Sequence, residues 1–296
     1  MAKESKIIFQ VHSSQVINAF EGNNYKIVYD NQNKDNKLCV IYFSSNEIYY
    51  PNTVSSFQYS IIEKDRYEWT YNKIKNAFKH IFVRDLQKQW YIGGINSRMN
   101  NPDKLLDFLK TETEGYLVYT VGSSAGGYAA LLYGSLLNVK RVYAFNAQLN
   151  LFETIRTSNS NKDPIIFDNL DNVELNKFYN LSYFLNNDID YYYFQSCKSK
   201  VDVNQYFSLP ENATRKLKSI FFLTSNHGFP FLRINLPYIL SFDKKRLDSL
   251  VNQKFSLIPF SISLIGFLPT FKFIFKALFD RYKKKKLEKR FTKKHN

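Results

Sequence analysis

The stretch that decides the fold is residues 115–137, which read GYLVYTV, then GSSAGG, then YAALLYGSLL. The first seven residues are largely apolar and β-branched or aromatic, which is typical of a buried strand. The last ten are rich in Ala and Leu, which favours a helix. A strand, a glycine-rich turn and a helix in this order predict one unit of a parallel sheet.

Strands and helices alternate on both sides of this unit. Expected strands cover residues 6–11, 25–29, 37–43, 81–83, 115–121, 141–145, 190–195 and 218–224. Expected helices cover residues 65–79, 103–110, 128–137 and 237–252. This alternation predicts an α/β fold with a mostly parallel central sheet and helices on both faces.

Three parts of the chain differ in composition. Residues 1–254 contain the alternating elements and are expected to form one catalytic domain. Within them, residues 150–188 are polar, rich in Asn and without a clear strand, so we expect a helical cap insertion there. Residues 255–296 form an apolar and then basic tail.

Charge is concentrated in that tail. The chain has a formal net charge of +15, and from Lys272 onward 11 Lys or Arg and 2 acidic residues give 11 − 2 = +9. The preceding residues therefore carry only 15 − 9 = +6. No clustered RNA-binding signature accompanies this mild excess, so we expect no nucleic-acid partner.

Cysteine usage and the N-terminus indicate the compartment. Cys39 and Cys197 form no CxxC pair, so the sequence predicts no zinc site, no other metal and no disulfide framework. The first residues precede only a short apolar run, which is typical of a strand and not of a signal peptide. The sequence thus favours a cytoplasmic location.

The glycine-rich turn fits the pattern G-x-S-x-G with Ser124 at its centre. Such a turn holds a serine between a strand and a helix, and the next N–H, here that of Ala125, faces the developing oxyanion. The sequence therefore predicts Ser124 as a nucleophile. The alternative is a tight turn whose small residues serve packing or hold a phosphate. Ser123 is the competing serine, in the flanking position.

A serine nucleophile needs a base and an acid. His227 follows the last expected strand, where folds with this turn carry the base. Asp202 follows the preceding strand and is the expected acid. A solvated loop histidine and a helix-capping aspartate are the alternatives. The second oxyanion donor is expected after the strand at residues 37–43, from the backbone of Ser44 or Ser45.

Taken together, these residues resemble a known family. A strand ending in Phe-Ser, a Gly-Ser-Ser-Ala-Gly-Gly turn and a late Asn-His-Gly are similar to α/β-hydrolase-like proteins of bacterial surface-polysaccharide gene clusters, the capsule and glycan O-acetyltransferase or esterase type. The resemblance covers about residues 6–250 and implies an α/β-hydrolase-like fold. It also implies that Ser124, Asp202 and His227 fill the family's triad roles.

The resemblance carries expectations about function. It implies acyl transfer to or from a glycan hydroxyl through an acyl-enzyme, with acetyl-CoA as the donor in a transferase and no cofactor in an esterase. A polysaccharide assembly complex is then a possible partner. Two alternatives stay open, a non-catalytic subunit of such a complex and a lipid-directed lipase or thioesterase.

The tail suggests a lipid partner. Residues 256–271 carry no charge but contain Pro259 and Pro269, and the stretch is shorter than the about 20 residues of a spanning helix. Beside it lies a basic run with Lys283, Lys284, Lys285 and Lys286. An apolar face next to lysines predicts peripheral attachment to the anionic inner face of the cytoplasmic membrane. The alternative is a C-terminal helix packed on the body with solvated lysines.

Overall fold

A computed structural model describes residues 11–294, and the side chains of residues 11–283. The strands are β1 Tyr25–Tyr29, β2 Leu38–Phe43, β3 Lys79–Val83, β4 Leu117–Ser123, β5 Arg141–Phe145, β6 Asp190–Ser196, β7 Leu217–Phe222 and β8 Lys254–Phe255. They form one sheet in the order β1-β3-β2-β4-β5-β6-β7-β8. β1 pairs antiparallel with β3, and the other pairs are parallel.

Helices lie on both faces of this sheet. They are α1 Ser14–Phe20, α2 Val54–Phe57, α3 Pro102–Thr113, α4 Ala125–Leu136, α5 Leu151–Ile155, α6 Pro164–Asp168, α7 Val173–Asn176, α8 Lys200–Phe207, α9 Glu211–Thr214, α10 Leu236–Leu240, α11 Lys244–Asp248, α12 Leu257–Ile265 and α13 Phe267–Lys294. A π-helical turn, Gln58–Glu63, extends α2. Short 3-10 turns lie at Asn31–Asn33, Lys177–Tyr179, Leu181–Tyr183 and Arg233–Asn235.

Strand β2 shows why the sheet is covered twice. All six of its residues are buried, since the strand is parallel to both neighbours and lies in the interior of the sheet. Cys39, Ile41 and Phe43 belong to one core, which also contains residues of α3 and α4. The alternate side chains of β2 belong to a second core with residues of α10, α11 and α12. The predicted α/β-hydrolase-like fold, with its mostly parallel sheet, is confirmed.

The order of strands fixes where a site can form. The chain passes from β2 to β3 on one side of β2 and then to β4 on its other side. Loops that leave the carboxyl ends of β2 and β4 therefore diverge, and a crevice opens between them. Ser44 and Ser45 follow β2, and Ser124 follows β4, so both groups border this crevice.

Two helix predictions are wrong. Residues 65–79 contain turns and the start of β3 instead of a helix, because Asp65 and Trp69 take positive φ values of 40° and 73°. The expected helix at residues 237–252 is instead the pair α10 and α11, because the side chain of Asp243 accepts the N–H of Arg246 and begins a new helix.

Other predictions are refined at their ends. Strand β5 has the expected bounds, and β6 extends one residue beyond those predicted. The expected strand at residues 6–11 lies mostly outside the described residues, and Val11 is in a turn. Residues 150–188 contain α5, α6 and α7 between β5 and β6, as expected of an inserted helical cap. The boundary predicted after residue 254 divides β8, and α12 packs on the body through buried Phe260.

Candidate active site

The turn that carries Ser124 is a strained junction between β4 and α4. Ser124 has φ 53° and ψ −124°, a conformation that L-residues seldom adopt and that structures retain mostly at functional sites. A Cβ on Gly122 would lie 2.0 Å from the carbonyl oxygen of Gly126, and one on Gly126 would lie 2.3 Å from that of Phe43. Both glycines are therefore required by close backbone approach, which holds the serine at the edge of the crevice.

Three predicted residues meet in one hydrogen-bonded chain. Ser124 Oγ lies 2.8 Å from Nε2 of His227, and Nδ1 of His227 lies 2.8 Å from Oδ1 of Asp202. An ionised carboxylate only accepts hydrogen bonds, so Nδ1 carries the ring proton in the neutral imidazole. Nε2 is then left as an acceptor for the serine hydroxyl, which is the arrangement that general-base activation of a serine requires.

The pKa of His227 reflects its surroundings. Burial by itself lowers the pKa, but the hydrogen bond and negative charge of Asp202, with the charge of Glu47, outweigh it. The net result is a pKa above the ordinary 6.5. The ring therefore takes up a proton readily, which suits a base that must accept the serine proton during attack.

Asp202 is placed by the first turn of α8. Its side chain is fully buried, and the N-cap of the helix is Ser199, so the alternative of a helix-capping Asp202 is wrong. Oδ2 of Asp202 has no hydrogen-bond partner among the described residues, whereas Oδ1 holds His227. The buried carboxylate is thus directed at one partner only.

Side chains at the ends of the neighbouring strands β5 and β6 hold the loop of His227. Asn146 Nδ2 and Ser196 Oγ both donate to the carbonyl of Asn226, at 2.9 and 2.6 Å. The Asn146 amide oxygen also accepts the N–H of Ser196 at 2.8 Å. Because these bonds fix the residue next to His227, the imidazole position is set by the sheet and not by a free loop.

The backbone N–H groups that were expected to bind an oxyanion differ in whether they already have an acceptor. Ala125 opens α4, and its N–H has no acceptor in the part of the chain that the structure describes. For Ser44 the prediction is wrong, because its N–H donates to the carbonyl of Val83 at 2.9 Å and extends the sheet. The N–H of Ser45 donates to Oε2 of Glu68 at 2.8 Å, and its hydroxyl donates to Oε1 at 3.1 Å. Burial raises the pKa of Glu68, which these bonds oppose.

Sequence reasoning missed Gln148. Both polar atoms of its buried amide lie 3.4 Å from Ser124 Oγ. Its Oε1 accepts the indole N–H of Trp90 at 3.1 Å, and since an indole only donates, this bond fixes which end is oxygen. The amide N–H groups are thus left to face the serine. The available signal was position, since Gln148 follows β5 at the same edge of the sheet as Ser124.

A buried carboxylate shapes the turn that carries Trp90. Asp85 accepts the backbone N–H groups of four residues at 2.7–3.0 Å, namely Gln87, Lys88, Gln89 and Tyr91. Trp90 itself has φ 53°, and the bonds around it stabilise this conformation. The turn around Trp90 is therefore part of the support for Gln148.

Two cavities meet at Ser124. The smaller has a volume of about 150 Å³ and is bordered by Trp69, Phe229, Glu68, Arg66 and Arg233. The larger, of about 620 Å³, extends under the cap. Its lining includes Trp90, Gln148, Glu153, Lys162, Lys200 and Asn204. A narrow pocket and a wider cleft on either side of one serine allow two different groups to approach it.

The predicted membrane-binding lysines belong to α13, and Lys283, whose side chain the structure describes, lines neither cavity. Lys283 is exposed, with its ammonium 4.5 Å from the ring centre of Phe279. The side chains of Lys284, Lys285 and Lys286 lie outside the described ones. Among the described residues, no helix is long and apolar enough to cross a membrane.

No family model and no curated protein matches this chain. Among solved structures, it is similar to the capsule O-acetyltransferase of Neisseria meningitidis serogroup A, with 14% identity over 77% of this chain and 93% of that chain and a TM-score of 0.47. Another structure of that protein, in complex with CoA, has 15% identity over 70% of this chain and 85% of that chain and a TM-score of 0.45.

Esterase B from Lactobacillus rhamnosis is also similar, with 9% identity over 77% of this chain and 88% of that chain and a TM-score of 0.45. These are the two kinds of protein, acetyltransferase and esterase, that the sequence resemblance names. Because each TM-score is below 0.5, the assignment of the site rests on its own geometry.

Proposed function

We propose that this protein is a serine-dependent acyltransferase or esterase. The single observation that carries the proposal is the hydrogen-bonded chain from Ser124 through His227 to buried Asp202, each contact 2.8 Å long. The His227 side chain is 44% exposed, but a histidine that is only solvated and a serine needed only for packing would have no reason to meet in this way. The strained backbone at Ser124 supports the same assignment.

The proposed reaction has two stages. Ser124 Oγ attacks an acyl carbonyl carbon while His227 Nε2 takes the hydroxyl proton, and the carbonyl π electrons move onto oxygen. Collapse of this intermediate expels the leaving group, which takes the proton from His227, and leaves an ester on Ser124. Water or a sugar hydroxyl then attacks the ester by the same proton path, which gives hydrolysis or transfer.

Two donors are proposed to stabilise the oxyanion. One is the unpaired N–H of Ala125 at the positive end of α4. The other is the side-chain amide of Gln148, because the N–H groups of Ser44 and Ser45 already have acceptors. With its oxygen bound to Trp90, Gln148 presents donors 3.4 Å from the serine oxygen, within reach of an oxyanion on the neighbouring carbon.

Gln148→Ala is expected to lower kcat about a hundred- to a thousandfold, because one donor to the developing charge is lost. Gln148→Glu is the sharper variant, since it keeps the shape and the acceptor for Trp90 but removes the donor. Steady-state kinetics on an activated acetyl ester measure both. If Gln148→Glu kept wild-type kcat, the amide would serve only to orient Trp90.

The cavities support a short acyl group and a sugar acceptor. The smaller pocket, of about 150 Å³, has room for an acetyl group. The cleft under the cap offers amide, carboxylate and ammonium groups beside Trp90, the mixture that sugar hydroxyls and rings require. We therefore propose acyl transfer to or from a bacterial surface glycan, in a polysaccharide assembly complex.

Acetyl-CoA is the proposed donor if the protein is a transferase. The larger cleft contains Lys88, Lys162 and Lys200, and the last two make no ion pair among the described residues. Free ammonium groups suit the phosphates of CoA, so the residues present fit this donor. The thioester would supply an activated acyl group.

The proposed location is the inner face of the cytoplasmic membrane. The net +9 of the last residues, next to an uncharged apolar stretch, supports peripheral attachment to anionic lipid. Such a location would bring the enzyme close to lipid-linked glycans during their assembly.

A fluorophosphonate probe tests the catalytic proposal directly. This probe reacts with serines that a neighbouring base activates, so we expect one adduct, on Ser124, in mass spectra of the digested protein. The adduct should be lost in His227→Ala. A folded protein that stays unlabelled at Ser124 while a small activated ester is also not turned over would contradict the proposal and favour the non-catalytic subunit.

A further inference from the structure

Helix α13 presents a stripe of large apolar side chains to solvent. Six of them have exposed fractions between 55% and 79%: Phe267, Leu268, Phe275, Leu278, Phe279 and Tyr282. Half-buried Phe271 joins the stripe, with its ring centre 4.3 Å from that of Phe267 and 6.3 Å from that of Phe275. At 3.6 residues per turn these positions fall within an arc of about 120°.

This α13 apolar stripe is not the side by which the helix contacts the body. Thr270 is fully buried, and its hydroxyl lies 3.0 Å from that of Ser261 in α12. On the helical wheel Thr270 lies about 120° from the middle of the stripe. The alternative, packing on the body, therefore accounts for the Thr270 side of the helix. It leaves the stripe without a partner among the residues that the structure describes.

Basic side chains flank the stripe. Lys272, Lys276 and Lys283 lie along one of its edges, and all three are exposed. None of them forms an ion pair with another described residue. Ammonium groups beside an apolar arc match the layered chemistry of a lipid surface, in which phosphates lie just outside the acyl chains.

We infer that the α13 apolar stripe lies on an anionic lipid surface, with Lys272, Lys276 and Lys283 at the phosphates. The inference rests on the proposed membrane attachment and specifies its surface. The rings and leucines enter the boundary between headgroups and acyl chains, and the helix axis lies along the membrane plane. An apolar exposed patch of this kind is seldom left free on a soluble monomer.

A second copy of the chain fits this surface less well. The spacing of Leu268, Phe271, Phe275, Leu278 and Tyr282 alternates between three and four, as in a coiled coil. The same spacing continues to Lys285 and Lys289, so charges fall at the next two seam positions. Two copies would also bring two tails of net charge +9 together. Both features disfavour a helical dimer and favour a negatively charged surface.

Vesicle flotation with the full-length protein tests the inference. We expect binding to vesicles of phosphatidylcholine with phosphatidylglycerol and little binding to phosphatidylcholine alone. The double variant Phe275→Asp, Leu278→Asp should lose binding, whereas Val173→Asp, at a 70% exposed position on α7, should not. Replacing Lys272, Lys276 and Lys283 with Gln should weaken binding about a hundredfold, since each lysine contributes about fivefold. The same change at Lys26, Lys34 and Lys37 is the charge control.

The outcomes separate the possible errors. Wild-type protein that binds neither vesicle overturns the attachment itself. If the Phe275→Asp, Leu278→Asp variant still binds vesicles, the protein attaches to lipid but not through the α13 apolar stripe. If the wild type is a dimer that this variant dissociates, the stripe is the contact with a second copy. Fluorophosphonate labelling of Ser124 in each variant reports on the acyl chemistry separately, so its failure is not confused with failure of lipid binding.

Discussion

Replacing Ser124 with alanine is expected to lower turnover of an activated acetyl ester by about a thousandfold or more, because the acyl-enzyme route is lost. The hydroxyl makes no capping bond to α4, and alanine has the same Cβ in the same strained backbone. The fold should therefore be retained. Hydrolysis of p-nitrophenyl acetate measures the activity, and the thermal melting temperature checks the fold.

Ser123→Ala is the matched comparison. Ser123 is the last residue of β4, one position from Ser124 in the same turn, and was the competing serine in the sequence. We expect this variant to keep its fluorophosphonate adduct on Ser124. A reversal, with activity lost in Ser123→Ala and kept in Ser124→Ala, would show that the nucleophile assignment is wrong.

The catalytic geometry was predictable because it follows from strand order. In a parallel sheet the carboxyl ends of the strands lie at one edge, so polar residues that follow β4, β6 and β7 share that edge, where their loops can bring them together. Ser124, Asp202 and His227 occupy these places, and their contacts of 2.8 Å agree with that expectation. The catalytic roles themselves stay predictions until turnover is measured.

Other parts of the site depend on contacts between distant segments. Glu68 reaches the N–H of Ser45 from a loop that the sequence pattern assigned to a helix. Trp90 orients Gln148 across 58 residues of chain, from a turn with positive φ values. Hydrophobic periodicity reports the local period of side chains and contains no information on such pairings. Such patterns therefore predict neither the acceptors of the Ser44 and Ser45 N–H groups nor the position of Gln148 beside Ser124.

The C-terminal tail is a second region where the sequence pattern predicts the composition of a surface but not its structure. Its composition indicates an apolar face and a basic run, and the uncharged residues 256–271 predict one continuous stretch. The structure divides this stretch at Gly266, which has φ 84°, into α12 on the body and the start of α13. Which apolar residues are exposed depends on that break, because it turns the Thr270 side of α13 toward Ser261 of α12.

Asp202→Asn is expected to lower the plateau of kcat/KM about ten-thousandfold and to move its acid limb to lower pH. The first effect arises because an asparagine amide can donate to Nδ1 and so hold the proton of His227 on Nε2, where it blocks acceptance from Ser124. The alternative orientation leaves an amide N–H unpaired at the buried place of Oδ2, which also costs stability.

The direction of the pH shift follows from the pKa of His227. The base form is required, so activity falls as pH decreases through this pKa, which in the wild type lies above 6.5. The bond and charge of Asp202 raise it against the effect of burial, so their removal lowers it. Profiles of kcat/KM against pH, measured at constant ionic strength, give both the pH of the acid limb and the height of the plateau.

Glu47→Gln separates the two effects in the same measurement. Glu47 is exposed and also raises the pKa of His227, but the ring nitrogens bond to Ser124 and Asp202 and not to Glu47. Its variant should therefore move the acid limb slightly to lower pH and leave the plateau unchanged. If Asp202→Asn behaved like Glu47→Gln, Asp202 would act only through its charge, and the orientation of His227 would have to come from the bonds that fix Asn226.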